Sequence, residues 1–213
     1  MKQNIILVEG RGDQKFIVDF LAEHYGFEAK KKEDIIDLVG KDKLVNFKTR
    51  LLENTDKGGR NIAILDADLP DKHDHGGFEA RLKYLENLVK KNDIEIDFFL
   101  FPNHKDDGDL ETILENIINP KNKEIFECWN EYENCLKSKE NPHSEDKSFN
   151  LPAKKSKIYS YLECLLPDTT AGKDLVKDPK RDYTNREHWE LHNLDNEYIK
   201  RLKTFLDQYY LAM

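Results

Sequence analysis

Three groups of acidic residues stand where apolar runs of the chain end. Glu9 closes Ile5-Ile6-Leu7-Val8. Gly10 and Gly12 then let the backbone approach a ligand, and Asp13 opens a helix, where an acid also suits the helix dipole. Asp66 and Asp68 close Ile62-Ala63-Ile64-Leu65, and an Asp-x-Asp in extended backbone aims both side chains to the same side of the strand. Asp106, Asp107, Asp109 and Glu111 follow a fourth apolar run. Clustered carboxylates repel one another unless a cation compensates them, and oxygen-only ligation favours Mg²⁺ or Mn²⁺ over zinc.

The runs themselves are the elements that position these acids. Asn4 to Val8, residues 34–39, 61–65 and 94–101 read as short strands, the first and third buried on both faces. Between them the spacing predicts helices. Phe16, Ile17, Phe20 and Leu21 share a side in the first, Leu44, Phe47, Leu51 and Leu52 in the second, and Phe78, Leu82, Leu85 and Leu88 in the third. Such alternation predicts an open α/β, Rossmann-like, mainly parallel four-stranded sheet flanked by helices, which binds ligands beyond the carboxyl ends of its strands. After Leu110 the strands stop. Helices are expected at 110–118, 124–136, 153–165 and 195–211, with a loose polar stretch at 166–185. The division is an α/β domain over residues 1–119 and a helical C-terminal extension over 120–213 packed on it.

Composition bounds the functions. A net charge of −8 excludes a general basic coat for nucleic acid. The acidic excess lies in residues 1–119, with 25 Asp and Glu against 18 Lys and Arg, while residues 147–181 hold eight basic residues against four acidic ones. Lys154, Lys155 and Lys157 precede an amphipathic segment and should gather near one helix end, and Lys105 follows the fourth strand beside His104, where a cation could touch a phosphate. No stretch approaches the roughly 20 apolar residues of a membrane helix, and Glu9 arrives too soon for a signal peptide, so a cytosolic location is expected. Cys128, Cys135 and Cys164 lack C-x-x-C spacing and read as reduced, mostly buried thiols.

Ile5 through Asp13 followed by Ile64-Leu65-Asp66-Ala67-Asp68 resembles the Toprim signature: a strand ending in Glu-Gly with Asp three residues on, and a later strand ending in Asp-x-Asp. That domain occurs in topoisomerases, bacterial-type primases, small RNA-maturation nucleases and overcoming-lysogenization-defect nucleases. Phe101-Pro102 through Glu111, Lys154 through Leu162 and the Trp-containing end further resemble a stand-alone Toprim-like family of unknown function. The resemblance implies that Glu9 is a metal ligand or general acid/base, that Asp66 and Asp68 hold Mg²⁺, and that Glu111 completes a two-metal site, with Asp13 and Asp109 in support. Two cations about 4 Å apart would stabilise the entering and leaving oxygens of a phosphodiester displacement.

Departures narrow the reading. No tyrosine matches a topoisomerase nucleophile, no template-binding module for a primase is present, and no G-x-x-x-x-G-K-[ST] exists for a built-in ATPase. His188-Trp189-Glu190-Leu191-His192 does not have the H-E-x-x-H order of a zinc protease, and His73-Asp74-His75 reads as a polar loop. The expectation is a Mg²⁺- or Mn²⁺-dependent nuclease of Toprim type acting on nucleic acid. The alternative is a non-catalytic metal- or nucleotide-binding module that serves a partner ATPase or defence complex.

Overall fold

The computed structural model describes residues 3–40, 43–72 and 74–211. Strands β1 (Asn4–Val8), β2 (Ile35–Asp37), β3 (Arg60–Asp66) and β4 (Asp97–Phe101) form one all-parallel sheet in the order β2-β1-β3-β4. The expected α/β class is therefore present. Ile5 to Val8 and Ile62 to Leu65 are almost wholly buried, because a parallel sheet is covered on both faces. The fourth strand is shorter than expected: Ile94 and Ile96 pack against the core from outside the ladder.

Helix α1 (Arg11–Tyr25) lies on one face, and α2 (Lys48–Asp56) and α3 (Phe78–Lys91) lie on the other. Ile6, Val8, Ile62 and Ile64 meet Phe16, Ile17, Phe20 and Leu21 of α1. Their alternates Ile5, Leu7, Ala63 and Leu65 meet Leu51, Leu85 and Val89. The chain runs from β1 to β2 on one side and then crosses back to β3 on the other, so the topological switch point lies between β1 and β3.

The later helices are α4 (Leu110–Asn116), α5 (Lys123–Lys137), α6 (Lys154–Leu165), α7 (Thr170–Val176) and α8 (Glu197–Tyr210). They extend the α1-side core through Ile113, Phe126, Ile158, Tyr161, Trp189, Leu202 and Leu206. The apolar face of α8 is docked by polar clamps as well. Asn4 Nδ2 donates to the Tyr209 carbonyl at 3.0 Å, and the Tyr209 hydroxyl donates to Asp97 at 2.8 Å.

Residues 166–185 differ from the loose stretch expected. They hold α7, a 3₁₀ turn at Asp178–Lys180, and fully buried Arg181 and Tyr183. The Tyr183 N–H donates to Asp19 of α1 at 2.8 Å, and Asp19 is held in turn by Lys15. Cys128, Cys135 and Cys164 are exposed, not buried, because each lies on an outward face of α5 or α6. Among the described residues no helix is long and apolar enough to cross a membrane.

Candidate functional site

The register brings the first two acids together. Val8 pairs with Ile64, so Glu9 stands level with Leu65 and Asp66 lies one residue beyond it on the neighbouring strand. Alternation then sends the two side chains to opposite faces. Glu9 meets Arg81 of α3, with Nη2 to Oε1 at 3.4 Å. Asp66 faces the α1 side, and its Oδ1 accepts the Leu110 N–H that opens α4, at 3.1 Å.

A cavity of about 740 Å³ opens over these ends. Of the residues singled out in the sequence, Glu9, Gly10, Gly12, Asp13, Asp66, Asp109, Glu111, Lys154 and Lys155 line it. Lys72, Asp178, Arg181 and Tyr183 complete the wall. A smaller cavity of about 400 Å³ lies at the opposite, amino ends of the strands, beside Asn4, Arg60 and Asp97, and gathers no comparable cluster of acids.

The acids at the site disturb one another. Burial, then the charges of Asp13, Glu9, Glu111 and Asp109, push the Asp66 carboxyl well above the usual carboxylate range. Burial, then Glu9 and Glu111, push Asp13 up to about 8, against the Gly10 N–H that its Oδ2 accepts at 2.8 Å. Glu111 is raised by burial and by Asp109. Asp109 moves down. Burial would raise it, but the Thr112 hydroxyl at 2.7 Å, the Lys154 ammonium at 3.2 Å and the Thr112 N–H at 3.0 Å outweigh that effect. Asp109 is thus the N-cap of α4 and the counter-ion of Lys154.

Three expected site residues are not brought to the cavity. Asp68 takes a φ of +61°, so the Asp-x-Asp leaves extended backbone at its second acid. Its backbone pairs with Gly108, at 2.7 and 3.0 Å, and its Oδ1 lies 3.9 Å from Lys72, which also approaches Asp109 at 3.5 Å. Lys157 lies one turn beyond Lys154 and turns to Glu115 at 3.0 Å and the Phe126 ring. Lys105 is exposed on the loop after β4.

Other expectations resolve similarly. The basic residues of 147–181 are each paired with an acid: Lys147 with Glu140, Lys173 with Asp168, Lys177 and Lys180 with Asp174, and the others as described above or below. His104 stacks on Phe99, and its Nδ1 accepts the Leu100 N–H at 3.1 Å. His75 stacks on Tyr84, and His73 lies outside the described residues. The segment from His188 to His192 is not helical, and its Trp189 is buried between Tyr161 and Tyr183.

Arg81, Lys72 and Tyr183 carry no expectation from sequence. For Arg81 a signal existed: it occupies the buried stripe of α3 with Leu85 and Val89, a position where a cation needs an acidic partner. The donor chemistry of the cavity suits a hard cation, being mainly carboxylate with no His or Cys in its wall among the described residues. Among the described residues, however, no three His, Cys, Asp or Glu side chains already stand as a metal-holding group.

A family model described as "Protein of unknown function (DUF3226)" matches residues 3–211. No curated protein and no solved structure matches the chain.

Proposed function

The chain belongs to the DUF3226 family, and we propose that it is a Mg²⁺- or Mn²⁺-dependent phosphodiester hydrolase of Toprim type that acts on nucleic acid. The observation that carries this reading is the convergence of Glu9, Asp13, Asp66 and Glu111 on one cavity at the switch point of a parallel sheet, with Asp13, Asp66 and Glu111 driven upward in pKa by burial and mutual repulsion. Such an arrangement is unfavourable by itself and is relieved by positive charge. Glu9, Asp13, Asp66 and Glu111 would hold a divalent cation, which supplies stabilisation of charge on the attacking and leaving oxygens.

The chain's own groups set the rest. Arg81 fixes the Glu9 carboxylate from behind. Lys154 and Lys155 supply positive charge for a phosphate at the cavity wall. Without a cation, burial and the charges of Glu9 and Glu111 hold the proton on Asp13, and a bound cation would take that proton's place. Labelled single- and double-stranded DNA and RNA, incubated with the purified chain and Mg²⁺ or Mn²⁺, test the reading. Metal-dependent cutting that Glu9→Gln reduces by at least 100-fold is expected, and cutting that survives in the variant would remove Glu9 from the mechanism.

A second reading has its own observation. Asp68, expected among the metal ligands, lies 3.9 Å from Lys72 and does not line the cavity. That suits a non-catalytic metal- or nucleotide-binding module completed by a partner ATPase. Failure of the isolated chain to cut any substrate, with its metal binding intact, would favour this module over the hydrolase.

A further inference from the structure

Arg181 is 2% exposed, yet its guanidinium is only partly used. Nε donates to the Val176 carbonyl at 2.8 Å, Nη1 lies 3.0 Å from Asp178 Oδ1, and the group sits over the Tyr159 ring at 4.7 Å. Among the described residues Nη2 has no hydrogen-bond partner of good geometry. The Tyr183 hydroxyl, also buried and also in the cavity wall, lies against the Arg181 guanidinium and makes no hydrogen bond of good geometry among the described residues. A buried guanidinium nitrogen without an acceptor is costly, and its planar fork matches an anion with two or more oxygens.

Asp178 occupies the place such an anion would take. Lys155 Nζ reaches its Oδ2 from α6, Arg181 reaches its Oδ1 from the following turn, and the Tyr159 hydroxyl donates to Oδ1 at 3.3 Å. Two cations share this one carboxylate, with the Glu111 and Asp13 carboxylates also acting on Lys155. The seat also adjoins the first turn of α1, where a Cβ on Gly12 would stand 3.4 Å from Asp178 Cβ. As placed, Asp178 spends one oxygen on Nη1 and the other on Lys155, whereas the three non-bridging oxygens of a phosphoryl group could span Nη1 and Nη2 and accept from Lys155 as well.

We propose that Lys155 and Arg181 form a phosphoryl-binding seat that Asp178 fills as an internal competitor, so that a ligand phosphate displaces the Asp178 carboxylate. The identity of the ligand as a nucleic-acid phosphate rests on the hydrolase reading, but the existence of the seat does not. Its residues come from α6 and the 166–185 segment, outside the strand-end acids.

Binding of inorganic phosphate and of a short oligonucleotide, with and without a 5′-phosphate, is measured by calorimetry in EDTA on the full chain and on Lys155→Gln, Asp178→Asn and Asp66→Asn. Lys155→Gln should weaken phosphate binding about tenfold, whereas Asp178→Asn, which removes the competitor and keeps its shape, should tighten it by a similar factor. Asp66→Asn should bind at least as well as the unaltered chain. A preference for the 5′-phosphorylated strand identifies a terminal monoester, and equal binding of both strands identifies the internal diester. Circular dichroism confirms that each variant folds. Absence of phosphate binding, indifference to Lys155→Gln, or weaker or unchanged binding by Asp178→Asn would overturn the proposal. Intact phosphate binding in a chain that binds no Mn²⁺ would instead count against the hydrolase reading alone.

Discussion

Asp13 and Asp109 each follow or form a helix cap, yet their titrations move in opposite directions. Asp109 is surrounded by donors, Thr112 and Lys154, that favour its charge, while Asp13 is buried and faces Glu9 and Glu111, which oppose it. The folded chain therefore holds the Asp13 proton more tightly than the unfolded chain. The stability this contributes is fully present below the ordinary value of 3.8 and is lost as pH rises through about 8. In EDTA, thermal unfolding between pH 5 and 9 should show the unaltered chain losing stability relative to Asp13→Asn, which retains an acceptor for Gly10. Identical pH slopes in the two proteins would refute this. At the same scale, removing the α4 cap by Asp109→Ala should cost about 1–2 kcal/mol in urea unfolding. No loss there would mean that Asp109 does not act as a cap.

The elements that deliver the acids meet at a loop crossing. Asp68 after β3 pairs with Gly108 after β4, and Gly108 stands at φ +146° with Thr112 Oγ1 only 2.8 Å from where a Cβ would be. Gly108→Ala should destabilise the chain by about 1–3 kcal/mol through backbone strain and the displaced Thr112. Unchanged urea stability would show that the crossing tolerates a side chain. Much at this scale was legible beforehand. The wholly apolar runs of β1 and β3 marked both strands, and the apolar spacing of α1, α3 and α8 marked those helices. The turn at Asp68 was not legible, because its φ is set by pairing with a residue 40 positions away in sequence. Nor were α7 and buried Arg181: the segment is polar in composition, and its burial depends on Asp178, Val176 and Asp19 of α1. The strand-end acids and Lys154 and Lys155 were thus readable one by one as site candidates, while Lys72 and the packing of Arg181 into the wall were not.

At the scale of the whole molecule, one apolar cluster joins α1 and the sheet to α4, α5, α6 and α8. The cavity consequently draws its acids from the strand ends and its cations mostly from the C-terminal half. Phe16, fully buried against Phe101 and Tyr183, lies at that junction. Phe16→Ala should cost about 3–5 kcal/mol. Unfolding of the unaltered chain should be a single transition, coincident by tryptophan fluorescence and far-ultraviolet circular dichroism. Two separated transitions would mean that the halves fold independently. The central claim is that the strand-end acids hold a divalent cation, and direct Mn²⁺ binding, followed by electron paramagnetic resonance, tests it. The account predicts binding by the unaltered chain and a loss of at least tenfold in affinity in Asp66→Asn with the fold retained. Equal Mn²⁺ affinity in the two proteins, or none in the unaltered chain, would contradict it.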